Sequence, residues 1–125
     1  MSTVKDLGMT ISRNAAVDLS AKVHYLAKVD TTGKFDLAAA STDSILGVIT
    51  EGAVANKPAT VQYGGQSKAI AGGTIVAGDK VTADANGKMI ATTTASHRVI
   101  GIALEGGAAN EIVPFVFVRM HVATS

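Results

Sequence analysis

The chain of 125 residues contains no cysteine and no tryptophan, only two prolines, and aromatic residues amount to 4% of it. Without thiols there is no disulfide framework, no thiolate nucleophile and no Cys-ligated zinc or iron–sulfur centre, a composition suited to a reducing cytoplasm. With so few aromatics the core must be built from Val, Ile, Ala and Leu, and little is left for the exposed rings of a sugar-binding platform. An excess of charge is also missing. Lys plus Arg number 11 against 10 Asp plus Glu, without a basic cluster, so no field draws the protein to nucleic acid or to an anionic membrane surface. No apolar run approaches the ~20 residues of a membrane span, and Met1-Ser-Thr-Val-Lys-Asp lacks the apolar segment of an export signal.

What is present is an apolar fraction of 47% together with 13 glycines. A chain of this length forms one domain and buries roughly two-thirds of its unfolded surface. The mixture of Ala, Gly, Thr and Val favours short twisted strands and tight turns over amphipathic helices. The organising stretch runs from Val76 to Ala91 and on through Val99 to Asn110. Asn86-Gly87 predicts a two-residue type I′ hairpin, in which both central residues take positive φ. The same grammar stands 54 residues earlier, where Asp30-Thr-Thr-Gly33-Lys34-Phe35 matches Asp84-Ala-Asn-Gly87-Lys88-Met89. Without a gap, Leu46-Gly47-Val48 falls on Ile100-Gly101-Ile102, Glu51-Gly52 on Glu105-Gly106, Ala55-Asn56 on Ala109-Asn110, and Val61 and Tyr63 on Phe115 and Phe117. One β unit is used twice, with Gly33, Gly47, Gly52, Asn86, Gly87, Gly101 and Gly106 as structural turn positions.

Taken in order, residues 1–16 form an extended N-terminal arm in which Leu7, Met9 and Ile11 alternate with Gly8, Thr10 and Ser12, a strand only where it finds a sheet edge. Residues 17–125 form a single β domain, with repeat units of about 17–70 and 71–124. Within it Val23, Tyr25, Ala27 and Val29 alternate as the inner face of a strand over 22–29. Strands follow over 34–39, 45–50 and 59–63, with a loop or single helical turn over 40–44. Gln66 to Ala71 is a short strand, and Val99 to Leu104 another. The last strand, 111–122, is apolar on both faces: Val113, Phe115 and Phe117 on one, Val116, Val118 and Met120 on the other. One face meets the core, and the second needs another buried partner, such as a second subunit.

Motifs of chemistry are suggested and then fail on their residues. Gly73-Thr-Ile-Val-Ala-Gly78-Asp79-Lys80 has phosphate-loop spacing, but Asp79 stands where the lysine is required and repels phosphate. Asp84-Ala-Asn86-Gly87 imitates the start of a calcium loop that has no distant Glu in helical context, and turn chemistry accounts for it. His24, His97 and His121 lack metal-ligand spacing, and Asp79 and Asp84 are better read as turn residues than as an acid/base pair. No Gly-x-Ser-x-Gly elbow is present. The expectation is a protein with no catalytic residues, no metal and no cofactor.

The succession Ala77-Gly-Asp-Lys-Val-Thr-Ala-Asp84, Gly87-Lys88, Thr92-Thr-Thr94, Val99-Ile-Gly-Ile-Ala-Leu-Glu105, a small-residue turn and a terminal hydrophobic strand resembles the capsid decoration (cement) proteins of tailed bacteriophages, from about residue 17 to 122. The resemblance implies an all-β, small β-barrel or β-sandwich-like domain that assembles as a homotrimer on the outer surface of the virion capsid, after synthesis in the host cytoplasm, and stabilises the head. Its expected partners are the major capsid protein and itself, with no nucleic acid and no membrane. Leu7, Met9 and Ile11 of the arm are expected to contact the capsid by adding a strand to it. Val116, Phe117, Val118 and Met120 are expected at the trimer interface. The alternative is a head-displayed module that recognises cell-surface glycans.

Overall fold

The structure is a computed structural model that describes residues 9–94 and 96–121, the side chains of residues 120 and 121 excepted. It contains ten strands and, among the described residues, no helix: β1 (Thr10–Asn14), β2 (Leu26–Val29), β3 (Phe35–Leu37), β4 (Ile45–Glu51), β5 (Pro58–Gln62), β6 (Gln66–Ile70), β7 (Lys80–Ala83), β8 (Met89–Ala91), β9 (Arg98–Ala103) and β10 (Ile112–His121). They form two five-stranded antiparallel sheets, ordered β1-β5-β4-β2-β3 and β6-β10-β9-β7-β8. The segment 40–44 is a turn, with the Asp43 N–H donating to Ala40 O at 3.1 Å.

The second sheet repeats the strand order of the first, and its registers correspond. Ala27 lies opposite Leu37 as Val81 lies opposite Ala91, and Leu26 opposite Val48 as Lys80 opposite Ile102. Ile49 faces Val61 as Ala103 faces Phe115. These pairs all stand 54 residues apart, whereas β1 and β6 stand 56 apart: Ile11 pairs with Val61, and Ser67 with Phe115. Two extra residues, Ser20 and Ala21, account for the step. Leu19 N–H donates to Ala53 O and Ile75 N–H to Gly107 O, both at 2.8 Å, while His24 N–H donates to Ile49 O and Gly78 N–H to Ala103 O, also both at 2.8 Å. Strands β1 to β5 thus lie in the first sheet, residues 10–14 included, and β6 to β10 in the second.

Each sheet curls around its own interior. A single parallel bridge links Ala15 to Phe35 in the first and Ala71 to Met89 in the second, so the outer strands approach without closing either sheet into a barrel. Ala15, Leu19, Ala27, Phe35, Ile49, Ala59 and Val61 fill the first interior. Ala71, Ile75, Val81, Met89, Ala103, Val113 and Phe115 fill the second, and the same cluster takes in Leu26, Ala38, Ile45 and Val48 from the first sheet. Full burial of an aliphatic or Phe side chain is worth about 1.5–3 kcal/mol, so these contacts join the sheets into one body. Backbone bonds reinforce the junction: Leu26 N–H donates to Gly87 O at 2.7 Å, Ile70 N–H to His24 O at 2.9 Å and Arg98 N–H to Ser41 O at 2.8 Å.

Two sequence expectations differ from this structure. The inner face of the second strand is not Val23, Tyr25, Ala27 and Val29: Val23 and Val29 are exposed, Leu26 and Ala27 are both buried, and the strand starts at residue 26. His24 has φ of 76°, which turns the chain out of an extended path. The alternation is also lost because β2 is buried on both sides, Ala27 facing its own sheet's interior and Leu26 the second sheet. The hairpin at Asn86-Gly87 has three loop residues, with Ala83 opposite Met89 and the Asp84 N–H donating to Lys88 O at 2.8 Å. Gly87 alone takes positive φ there, at 78°. Asp84 selects this form, because its Oδ1 accepts from the N–H groups of Asn86 and Lys88 at 2.8 and 2.9 Å.

Candidate functional site

The side chains that imitated chemistry are engaged in turns. Asp79 Oδ2 accepts from the Val76 N–H at 2.9 Å, and Asp84 caps its own hairpin. His97 Nδ1 shares a hydrogen bond of 2.6 Å with Thr92 Oγ1, and among the described residues no group of three His, Cys, Asp or Glu side chains converges. Lys34 Nζ reaches Asn56 Oδ1 at 2.9 Å, and Lys88 Nζ reaches Asn110 Oδ1 at 2.7 Å, each tying a hairpin to the turn that follows the next strand. Asn56 and Asn110 both take positive φ, 67° and 71°. These polar pairs hold corresponding turns of the two sheets in place.

The turn glycines divide into two kinds. Gly33 and Gly87 occupy left-handed positions at the ends of their hairpin loops. Gly47 and Gly101 let two strands approach: a Cβ would stand 1.9 Å from Gln62 O in the first sheet and 2.2 Å from Val116 O in the second. Gly52 faces the Leu19 oxygen as closely, and Gly106 faces the Ile75 oxygen less tightly, at 3.0 Å from a Cβ.

The residues expected to make contacts lie on two strands. Leu7 is outside the described residues. Met9 is 56% exposed and Ile11 42% exposed, and Ile11 belongs to β1, every residue of which is exposed. The edge that the arm requires is supplied by β5 of the same chain, from Thr10 opposite Gln62 to Asn14 opposite Pro58. On β10, Val113 and Phe115 are buried, and half-buried Phe117 packs on the core with its ring edge-to-face on Phe115 at 4.8 Å. Val116 is half-buried and Val118 is 39% exposed, while the side chain of Met120 is outside the described residues.

Sequence reasoning missed Arg119. Between Phe117 opposite Gly101 and Met120 opposite Val99, Val118 and Arg119 together face one residue, a bulge that re-aims the side chain. The guanidinium donates to the backbone oxygens of Ile45 and Leu46 in the first sheet and lies 5.3 Å from the Phe117 ring centre. The residue is exposed overall, and desolvation of its guanidinium against the first sheet lowers its pKa. The available signal was an arginine interrupting an apolar terminal strand.

A family model described as phage cement protein matches residues 33–120, more than half of the chain. The chain belongs to the phage cement protein family. This cement protein thus has a capsid-associated structural role. A solved structure of the same fold is the N base of the head fiber gp8.5 of bacteriophage phi29, with a TM-score of 0.69, 18% identity, and coverage of 94% of this chain and 99% of that one. At that identity the likeness is one of fold. No curated protein matches the chain in sequence.

Proposed function

We propose that this cement protein binds the major capsid protein on the outer surface of the phage head as a homotrimer and stabilises the head without catalysing a reaction. The observation that carries the reading is the family match over residues 33–120. Two features of the surface support it. Met9 and Ile11 expose apolar side chains at the start of an edge strand, and Val116 and Val118 form an outer apolar strip on a strand whose other face is already satisfied by the core. Such strips are individually modest in area, and three copies linked in one particle gain avidity of ~10²-fold or more when their sites are matched in spacing.

Because β1 belongs to the protein's own sheet, the contact we assign to the arm is made by exposed side chains and by residues preceding β1. The test is co-sedimentation with undecorated heads. The double variant Met9→Ser, Ile11→Ser alters exposed positions, where substitutions usually stay within about 0.5 kcal/mol, so thermal unfolding should hardly move while head binding falls at least tenfold. Full binding by that variant removes the arm from the capsid contact. Failure of the unaltered protein to sediment with heads overturns the capsid reading itself.

A further inference from the structure

A groove of about 520 Å³ runs between the two sheets, and its apolar walls are equivalent parts of the two units. Ile45 and Leu46 of β4 line one side, and Val99 and Ile100 of β9, 54 residues later, line the other. Correspondence ends at the charges. Arg98 stands where the first unit has Ser44, and Arg119 stands where it has Gly65. Two of the three arginines in the chain have therefore been placed in one unit only and on one groove, so the duplicated turn geometry does not account for them.

Among the described residues neither arginine has an acidic partner. No carboxylate lines the groove, and among the described residues the salt bridge present is Lys28 to Asp43 at 3.3 Å. Arg119 is held in place by the carbonyls of Ile45, Leu46 and Tyr63 and by the Phe117 ring, so its terminal nitrogens are engaged and it contributes its charge to the groove, while the fork of Arg98 has no hydrogen-bond partner among the described residues. Two exposed cations on one apolar groove, without a carboxylate among its lining residues, leave it electrostatically incomplete. Arg98 is exposed at the mouth, and Val29, 47% exposed, continues the apolar wall.

We propose that this groove docks an extended peptide that sets a carboxylate beside an aliphatic side chain, supplied by the capsid subunit; the source of the peptide, though not the chemistry of the groove, rests on the function proposed above. The carboxylate takes bidentate hydrogen bonds from the Arg98 guanidinium, whose fork matches its planar geometry, in the field of Arg119, and the aliphatic group covers the wall formed by Leu46, Val99 and Val29. Charge complementarity favours an acidic segment, and the apolar walls favour a peptide over a bare anion.

The experiment follows methyl NMR spectra of the full chain titrated with acetyl-Val-Glu-Val-Glu-Val-amide, its Gln analogue and inorganic phosphate, and repeats the titration and head co-sedimentation with Arg98→Glu. Arg98 is exposed, so this variant keeps the fold, which unchanged spectra away from the groove verify. Expected are shifts at Val29, Leu46 and Val99 with the Glu peptide, at least tenfold weaker binding of the Gln analogue and of the Glu peptide to Arg98→Glu, and at least tenfold weaker sedimentation of that variant with heads. No shift at the groove, equal binding of the two peptides, or stronger binding of phosphate than of peptide overturns the proposal. Undiminished sedimentation of Arg98→Glu removes the groove from the capsid contact. Peptide binding by a protein that does not sediment with heads overturns the capsid as source and leaves the groove's chemistry standing.

Discussion

His24 and Gly78 occupy matching turns, with φ of 76° and 92°, and only the glycine suits that backbone. The histidine also buries Nδ1, which among the described residues has no hydrogen-bond partner. A left-handed conformation costs a non-glycine residue about 1–2 kcal/mol, so His24→Gly should stabilise the protein by about 1 kcal/mol in urea unfolding, provided the main-chain bonds to Ile49 and Ile70 persist. The opposite sign is expected at Gly47 and Gly101. A methyl group at either site collides with a strand backbone that cannot withdraw, so Gly47→Ala and Gly101→Ala should each cost about 1–3 kcal/mol, as overpacking does. Gly73→Ala is the control, because a Cβ there meets nothing within 4 Å. Equal midpoints for all three variants would mean that the strand approach at residues 47 and 101 is not tight.

The hairpins and connecting loops depend on ionised aspartates. Asp43 accepts from the Ala39 N–H at 2.8 Å, and that bond, together with Lys28, holds its carboxyl below the ordinary value of 3.8. Asp30 is lowered in the same sense, first by the Thr32 hydroxyl and then by the Lys34 N–H. A carboxylate with a depressed folded pKa contributes stability that is complete above the unfolded value and is lost as pH falls through the folded one. The unfolding temperature should thus be level near neutrality and drop once the pH passes below 3.8, and Asp43→Asn should drop less steeply over that interval in calorimetric melts. Among the strands, β1 has no buried residue and contributes ladder bonds and cover for β5. Deleting residues 2–14 should consequently lower the melting temperature in calorimetric melts; an unchanged melt would show that β1 adds nothing.

For the whole molecule, corresponding strand order and registers lead to the expectation that Asp30–Tyr63 and Asp84–Phe117 superpose strand for strand about a pseudo-twofold axis in a crystal structure. Different topologies in the two segments would dismiss it. Assembly adds a second test on β10. Phe117 packs against the core, so Phe117→Asp should unfold the domain by burying an unpaired charge, while Val118 is exposed, so Val118→Asp should give a folded monomer by light scattering. Trimers formed by Val118→Asp would take this strip out of the subunit interface.

Much of this protein was legible along the chain because turns and strand alternation are local. Asp30-x-x-Gly33 and Asp84-x-x-Gly87 announced two corresponding hairpins, the period-two pattern of β10 put Val113 and Phe115 on one face, and the resemblance carried by Ala77–Asp84 and Val99–Glu105 pointed to a structural role on a capsid. The form of the Asn86-Gly87 turn was less legible, since the Asp84 side chain favours a three-residue loop over the type I′ hairpin that the dipeptide predicts. Contacts between distant segments were decided only in three dimensions. Leu26 and Ala27 are adjacent and both buried because two sheets flank one strand, which alternation along a single strand cannot express. Pairing of β1 with β5 joins residues nearly fifty positions apart, and the Arg119 contacts with Ile45 and Leu46 cross between units through a bulge. Such placements depend on which surfaces remain uncovered after each sheet has curled, a property of the packed molecule.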